Sequence, residues 1–217
     1  MIKIYCDATG SAQSLNSSLY PGVSLALFGF SGLKTIKYKT ELNGSSNVLH
    51  EFSNLSRSGI TFASGAITDN YGVMRKSLVI ASGGKLSGIS DACVSENGER
   101  RSLGGAYRVY QTSAGKIGVI VCGDITDFDG VRATALCDAD VIIRVSDVEE
   151  KPIDSVLLRA YAYLFGVPVV SLTSGGVTAS DINGEICSHA ESGGVIVVPT
   201  KRTYKLVTAK KRGVNYL

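Results

Sequence analysis

The chain has 2 histidines and no tryptophan in 217 residues. His50 and His189 lie far apart, and Asn54 stands where a zinc-protease helix opening His50-Glu51 needs its second histidine. A histidine-rich metal centre is therefore not expected, and neither a metal nor a cofactor is implied. Proline is scarce at 4 residues against 25 glycines, a pattern of tight turns without a low-complexity linker. The 5 cysteines (Cys6, Cys93, Cys122, Cys137, Cys187) form no Cys-x-x-Cys pair, which excludes a zinc ribbon and a thioredoxin motif. No apolar run approaches the ~18 residues that span a bilayer. The opening Met1–Tyr5 reads as a strand rather than a leader. A reducing cytoplasm with free thiols and no membrane partner is the expectation.

Other motifs are missing too. No Gly-x-Ser-x-Gly elbow supports a serine hydrolase. No Gly-x-Gly-x-x-Gly follows the first strand. Gly83-Gly84-Lys85 lacks the rest of a phosphate loop, because Val79 and Leu86 occupy the required Gly and Ser/Thr positions. It reads as a hairpin turn. The net charge of +3 provides no concentrated basic face, so nucleic acid is not an expected partner. The one basic cluster, Lys201, Arg202, Lys205, Lys210, Lys211 and Arg212, reads as a solvated tail or strand edge.

What is present points to a globular α/β chain. Hydrophobic residues make up 44% and charged residues 19%. With no convincing linker, 1–217 is read as one domain. Strand-like runs are predicted over 2–6, 23–30, 60–66, 77–81, 107–111, 116–122, 139–145, 167–172 and 194–199. Helices are predicted over 46–56, 129–136 and 154–164. In the last, Val156, Leu157, Ala160, Tyr161 and Leu164 recur at helical spacing, with Gly166 beyond the end. Interleaved strands and helices predict a layered α/β fold.

The most informative segment runs from Lys116 to Asp124. An apolar strand ends directly at Cys122, and a turn and a helix candidate follow. Backbone N–H groups at such an end favour a thiolate and could hold an oxyanion. A buried structural cysteine fits the same local sequence.

Gly115 to Ile125 resembles the nucleophile strand of the carbon–nitrogen hydrolase (nitrilase-like) superfamily, Gly-x-Ile-Gly-x-x-Ile-Cys-Tyr-Asp. Asp129 and Arg132, Asp138 to Ile142, Arg159-Ala160 and Gly166 to Val170 are similar to the elements that follow it in that family. Gly65, Ser77 to Ile80 and Gly84 are similar to its third strand and hairpin, and Asn183 to Ile186 with Glu191 to Val198 to its last hairpin. The resemblance implies a four-layer α-β-β-α sandwich. It also implies chemistry by a Glu base, a Lys and a Cys nucleophile that forms an acyl-enzyme.

At the two other catalytic positions the sequence departs from the family. Phe30 stands at the Glu position and Ala92 at the Lys position, and Gly123 replaces the usual aromatic residue. The first expectation is therefore a degenerate member that keeps Cys122 without normal amidase or nitrilase activity. The alternative is an active hydrolase of a small amide with a rebuilt base. Asp147, Glu149 or Glu150 would then supply the base, and Lys151 or Lys85 the positive charge. A third reading is a redox-sensitive or ligand-capturing Cys122. Asp124 joins Phe30, Ala92, Gly123, Asp147 and Glu149 as candidate pocket residues. The family habit of pairing implies a homodimer, with Tyr161, Tyr163 and Leu164 as interface or core candidates. The weak tail match of Arg212 to Tyr216 points the same way.

Overall fold

The computed structural model describes residues 1–15, 21–33, 35–95 and 102–200. The basic cluster and the Arg212 to Tyr216 tail lie outside the described residues. The first half contains strands Ile2–Asp7 (β1), Leu25–Phe28 (β2), Ile36–Lys37 (β3), Thr61–Asn70 (β4), Val73–Ser82 (β5) and Lys85–Asp91 (β6). Helices Tyr38–Leu42 (α1) and Val48–Leu55 (α2) lie between β3 and β4. The second half contains strands Arg108–Thr112 (β7), Gly115–Val121 (β8), Val141–Val145 (β9) and Val169–Thr173 (β10). It continues through Gly176–Ser180 (β11), Ile186–Glu191 (β12) and Gly193–Val198 (β13). Helix Phe128–Leu136 (α3) precedes β9, and helix Pro152–Phe165 (α4) precedes β10.

Two sheets result. The first has the order β13-β1-β2-β4-β5-β6, with β3 also paired to β4. The second has the order β12-β11-β10-β9-β8-β7. Parallel pairs occupy the centres, β1/β2/β4 in one sheet and β8/β9/β10 in the other, and antiparallel pairs the flanks. Central strands covered on both faces become apolar throughout, as β2, β9 and β10 are.

Strand alternation sorts side chains into three cores. Ile4, Leu25, Leu27, Leu78 and Ile80 face Ile117, Val119, Val121, Ile143 and Leu172 between the sheets. The intervening residues Ala26, Phe28, Phe62 and Val79 pack outward against Phe52 of α2. On the far side Ile120, Ile142 and Val169 pack against Val131 of α3 and Leu158, Tyr161 and Ala162 of α4. The layers therefore run α-β-β-α, as the resemblance implied. Among the described residues no helix is long and apolar enough to cross a membrane.

Some sequence expectations shift. Helix α4 buries Asp154, Leu158, Tyr161 and Ala162, while Val156 and Leu164 are exposed. The inward stripe is set by the pairing of Asp154 with a buried arginine, an attraction that apolar periodicity does not register. Of the interface candidates, Tyr161 is buried against Phe165 and Phe128, and Tyr163 and Leu164 are exposed. The last hairpin is β11/β12, turning at Asp181–Gly184. After Ser192 the chain leaves that sheet, and β13 pairs with β1 in the other.

Gly118 lets β8 and α3 approach closely. A Cβ there would sit 2.4 Å from Thr134 Cγ2 and 3.2 Å from Ala139 Cβ. Gly118→Val is expected to destabilise the fold by about 1–3 kcal/mol through overpacking. Urea denaturation measures this, and an unchanged midpoint would contradict the close packing.

Candidate active site

Strand β8 delivers Cys122 to the carboxyl end of the second sheet. The apolar run Ile117 to Val121 is buried, and the chain then turns sharply. Cys122 has φ 51°, a left-handed conformation that an L side chain adopts at a cost of about 1–2 kcal/mol. It opens a 3₁₀ turn over Cys122–Thr126, and its side chain is buried.

Asp124 ties this elbow together. Its Oδ2 accepts the Val121 N–H at 2.9 Å, and its Oδ1 accepts the N–H groups of Cys93 and Val94 at 2.7 and 2.8 Å. One carboxylate thus joins the Cys122 turn to the segment after β6. Burial raises its pKa to about 6, although the three N–H donors pull the other way and the nearby Asp127 charge adds to the rise. Asp127 caps α3 through the Gly130 N–H and accepts the Tyr107 hydroxyl at 2.7 Å. The Tyr107 hydrogen bond, followed by that of Gly130, holds its carboxyl below the usual range.

Arg144 on β9 lies beneath the elbow, almost wholly buried. Its Nε donates to the Cys122 carbonyl at 2.9 Å, its Nη1 to Ser171 Oγ at 3.3 Å and its Nη2 to Asp154 Oδ2 at 3.0 Å. Two buried charges cancel at the start of α4, and the strained turn gains a charged donor.

Two residues past β9 stands Asp147. Its Oδ1 lies 3.7 Å from Cys122 Sγ, within reach of a thiol hydrogen bond. The same oxygen accepts from Lys76 Nζ at 2.7 Å. The Lys76 side chain is 4% exposed and the Asp147 side chain 31%. A thiol, a carboxylate and an ammonium therefore meet where two sheets end, in contact with solvent through Asp147.

The family model for carbon-nitrogen hydrolases matches residues 25–210. The chain belongs to the carbon-nitrogen hydrolase family. No curated protein matches the chain in sequence. Solved structures share the fold. An amidase from Nesterenkonia sp. superposes with a TM-score of 0.74 at 14% identity, covering 100% of this chain and 96% of that one. A carbon-nitrogen hydrolase from Helicobacter pylori G27 gives 0.74 at 16% identity, covering 97% and 93%. The glutamine-dependent NAD+ synthetase of Acinetobacter baumannii gives 0.68 at 17% identity, covering 90% of this chain and 44% of that one.

The positions singled out in this member of the carbon-nitrogen hydrolase family separate into two groups. Cys122, Gly123, Asp124 and Asp147 gather at the elbow. Ala92 is buried in the same inter-sheet core as Cys122, and Phe30 packs against that core. The Phe30 ring lies on Gly65 and beside Val145: a Cβ on Gly65 would meet ring carbon Cδ2 at 2.8 Å. Glu149 is exposed, and Glu150 accepts from Thr178 on β11, two strands away from β9. Lys85 and Lys151, the expected cations, are both exposed.

Among the described residues the cation bonded to Asp147 is Lys76, which belongs to β5 but lies one residue before the strand predicted over 77–81. Strand alternation carries the signal. Lys76, Leu78 and Ile80 are alternate residues of β5, and the two apolar ones line the inter-sheet core. Arg144 was likewise hidden in an apolar run.

Arg144→Met strands the Asp154 carboxylate in the interior, which is expected to cost roughly 3–5 kcal/mol. Arg144→Met/Asp154→Leu is expected to recover most of it in urea unfolding. Equal losses in both variants would refute the ion-pair account. Ionising Asp124 costs the folded state more than the unfolded one, because its folded pKa is the higher. Its contribution is full below about 3.8 and is lost as pH rises through about 6. Wild-type stability relative to Asp124→Asn is expected to fall across that window, and parallel pH curves would show that Asp124 does not titrate there.

Proposed function

We propose that this chain hydrolyses the C–N bond of a small amide through a Cys122 acyl-enzyme, with Asp147 as the base. The observation that carries this is the 3.7 Å contact between Cys122 Sγ and Asp147 Oδ1 at a strained strand-end turn. A carboxylate in that place can take the thiol proton as the Sγ–C bond forms and the carbonyl π pair moves to oxygen. It can then give the proton to the leaving nitrogen as the C–N bond breaks. Water completes the cycle by attacking the thioester carbon as Asp147 accepts its proton; the Sγ–C bond then breaks, the carboxylic acid leaves and Cys122 recovers the proton from Asp147. Family membership supports amide chemistry. So do solved forms of a Nesterenkonia amidase, in which acrylamide and the acetamide moiety of fluoroacetamide are joined to that enzyme's active-site cysteine.

A second reading retains the fold and the thiol without normal amidase turnover. Phe30 and Ala92 favour it, since the resemblance assigns a Glu and a Lys to those positions. The placement of Asp147 favours the active reading, because a new acid stands within reach of the sulfur.

Turnover of a panel of small amides separates the two. The active reading expects hydrolysis that Cys122→Ala abolishes and that Asp147→Asn slows by about 10²–10⁴-fold. Intact-mass analysis is expected to show fluoroacetamide labelling confined to Cys122. A wild-type protein that turns over no amide, or whose turnover survives in Cys122→Ala, overturns the active reading.

A further inference from the structure

Phe30 puts an aromatic ring where the resemblance implies a carboxylate. It follows β2 and packs against the inter-sheet core while part of its surface stays exposed. Its ring occupies the room that Gly65 of β4 leaves free. A Cβ on Gly65 would lie 2.8 Å from ring carbon Cδ2 and 3.0 Å from both Cγ and Val145 Cγ1. The ring therefore lies beside Val145 across the layer between the sheets. Val145 pairs with Val121, the residue before Cys122, and precedes Asp147 by two positions. Phe30 thus borders the strand ends that carry the thiol and the carboxylate.

The neighbouring strand ends of the first sheet present small apolar residues. Ala8 after β1 and Ala92 after β6 are buried in the core that contains Cys122. Among the described residues the buried charged side chains are Lys76, Asp124, Arg144 and Asp154. Lys76 is bonded to Asp147, Asp124 to three backbone N–H groups, and Arg144 to Asp154. A charged group entering beside Phe30 would lose its hydration and find these charges already matched, which is strongly unfavourable. An apolar group would release water from the ring and gain contact with it.

We infer that Phe30 is the specificity-determining residue of the site: its ring receives the acyl chain, and the amides cleaved here carry an uncharged, apolar acyl chain of a few carbons. The inference rests on the reading of Cys122 as nucleophile and Asp147 as base. Asp147 borders solvent and gives the leaving nitrogen its proton, so the nitrogen lies on that side of the carbonyl carbon. The acyl chain then points to the interior side, where Phe30 and Val145 meet. The ring touches the chain before and during the reaction, so it discriminates between amides through kcat/KM without altering the chemical step.

Three amides with the same reacting group test this: acetamide, butyramide and succinamate, which has a carboxylate where butyramide has its terminal methyl. Wild type is expected to favour butyramide over acetamide in kcat/KM by roughly 10–200-fold and to disfavour succinamate. Phe30→Ala is expected to lower the butyramide-to-acetamide ratio roughly tenfold. A general disturbance of the fold or of the thiol lowers both values together and leaves the ratio unchanged. Thermal melts establish that the variant is folded, and Phe30→Gln, which keeps the bulk and loses the apolar surface, takes its place if it is not. A wild type that cleaves acetamide or succinamate as efficiently as butyramide, or a ratio that the Phe30 variant leaves unchanged, overturns the role of Phe30 and leaves Cys122 and Asp147 as assigned. A wild type that turns over no amide, or whose turnover survives in Cys122→Ala, overturns the hydrolase reading and this inference together.

Discussion

The Arg144 guanidinium lies where strands β8, β9 and β10 end beneath helix α4, and the geometry of the site depends on it. Its three groups of donors reach the Cys122 carbonyl, the Ser171 hydroxyl and the Asp154 carboxylate. A planar, permanently charged group suits this task, because it bridges partners in different directions without losing its charge. The pairing with Asp154 makes its burial tolerable and also fixes which face of α4 meets the sheet. The bond to Cys122 gives the carbonyl of a left-handed residue a charged donor. Asp147 lies three residues beyond Arg144, so the strand that steadies the elbow also brings the carboxylate to the thiol.

Two carboxylates near Cys122 are held in opposite ways. Asp124 is buried and accepts three backbone N–H groups, so it organises the turn and the segment after β6. Asp147 is partly exposed, bonded to an ammonium and within reach of the thiol. A side chain fully occupied with backbone donors is poorly placed to exchange a proton with a substrate. One that borders solvent and faces sulfur has both the access and the partner. The division of labour follows from burial and bonding, since both side chains are aspartates.

The chemistry assigned to the site departs from what the family resemblance implies at Phe30 and Ala92. An aromatic ring on Gly65 and a methyl group in the core fill two places that resemblance assigns to charged groups. Charge returns by other routes, from the loop after β9 and from β5, the strand beside Ala92. The family fold brings several strand ends to one place, so a residue of the right type on a neighbouring strand can reach the same volume.

Local patterns were enough for much of this protein. Apolar runs and turn glycines marked the central strands, α2, α3 and α4, and Gly166 ended α4 with φ 65° as its position suggested. The strand running into Cys122 identified the elbow and the family. These features depend on neighbours a few residues apart, which sequence periodicity records directly. The partners of Cys122 depend on contacts between distant segments. Asp147, Glu149 and Glu150 are all carboxylates in one loop, and the packing of β9 and β10 decides which of them turns to the sulfur. Lys76 stood at the edge of an apolar run, where a polar residue reads as the end of a strand. The pairing of β5 with β6, and of one sheet against the other, carries its side chain inward to Asp147. The sequence by itself determined the layers and the position of the thiol. The tertiary structure decided which charges surround that thiol, because burial and long-range pairing select among residues that are locally alike.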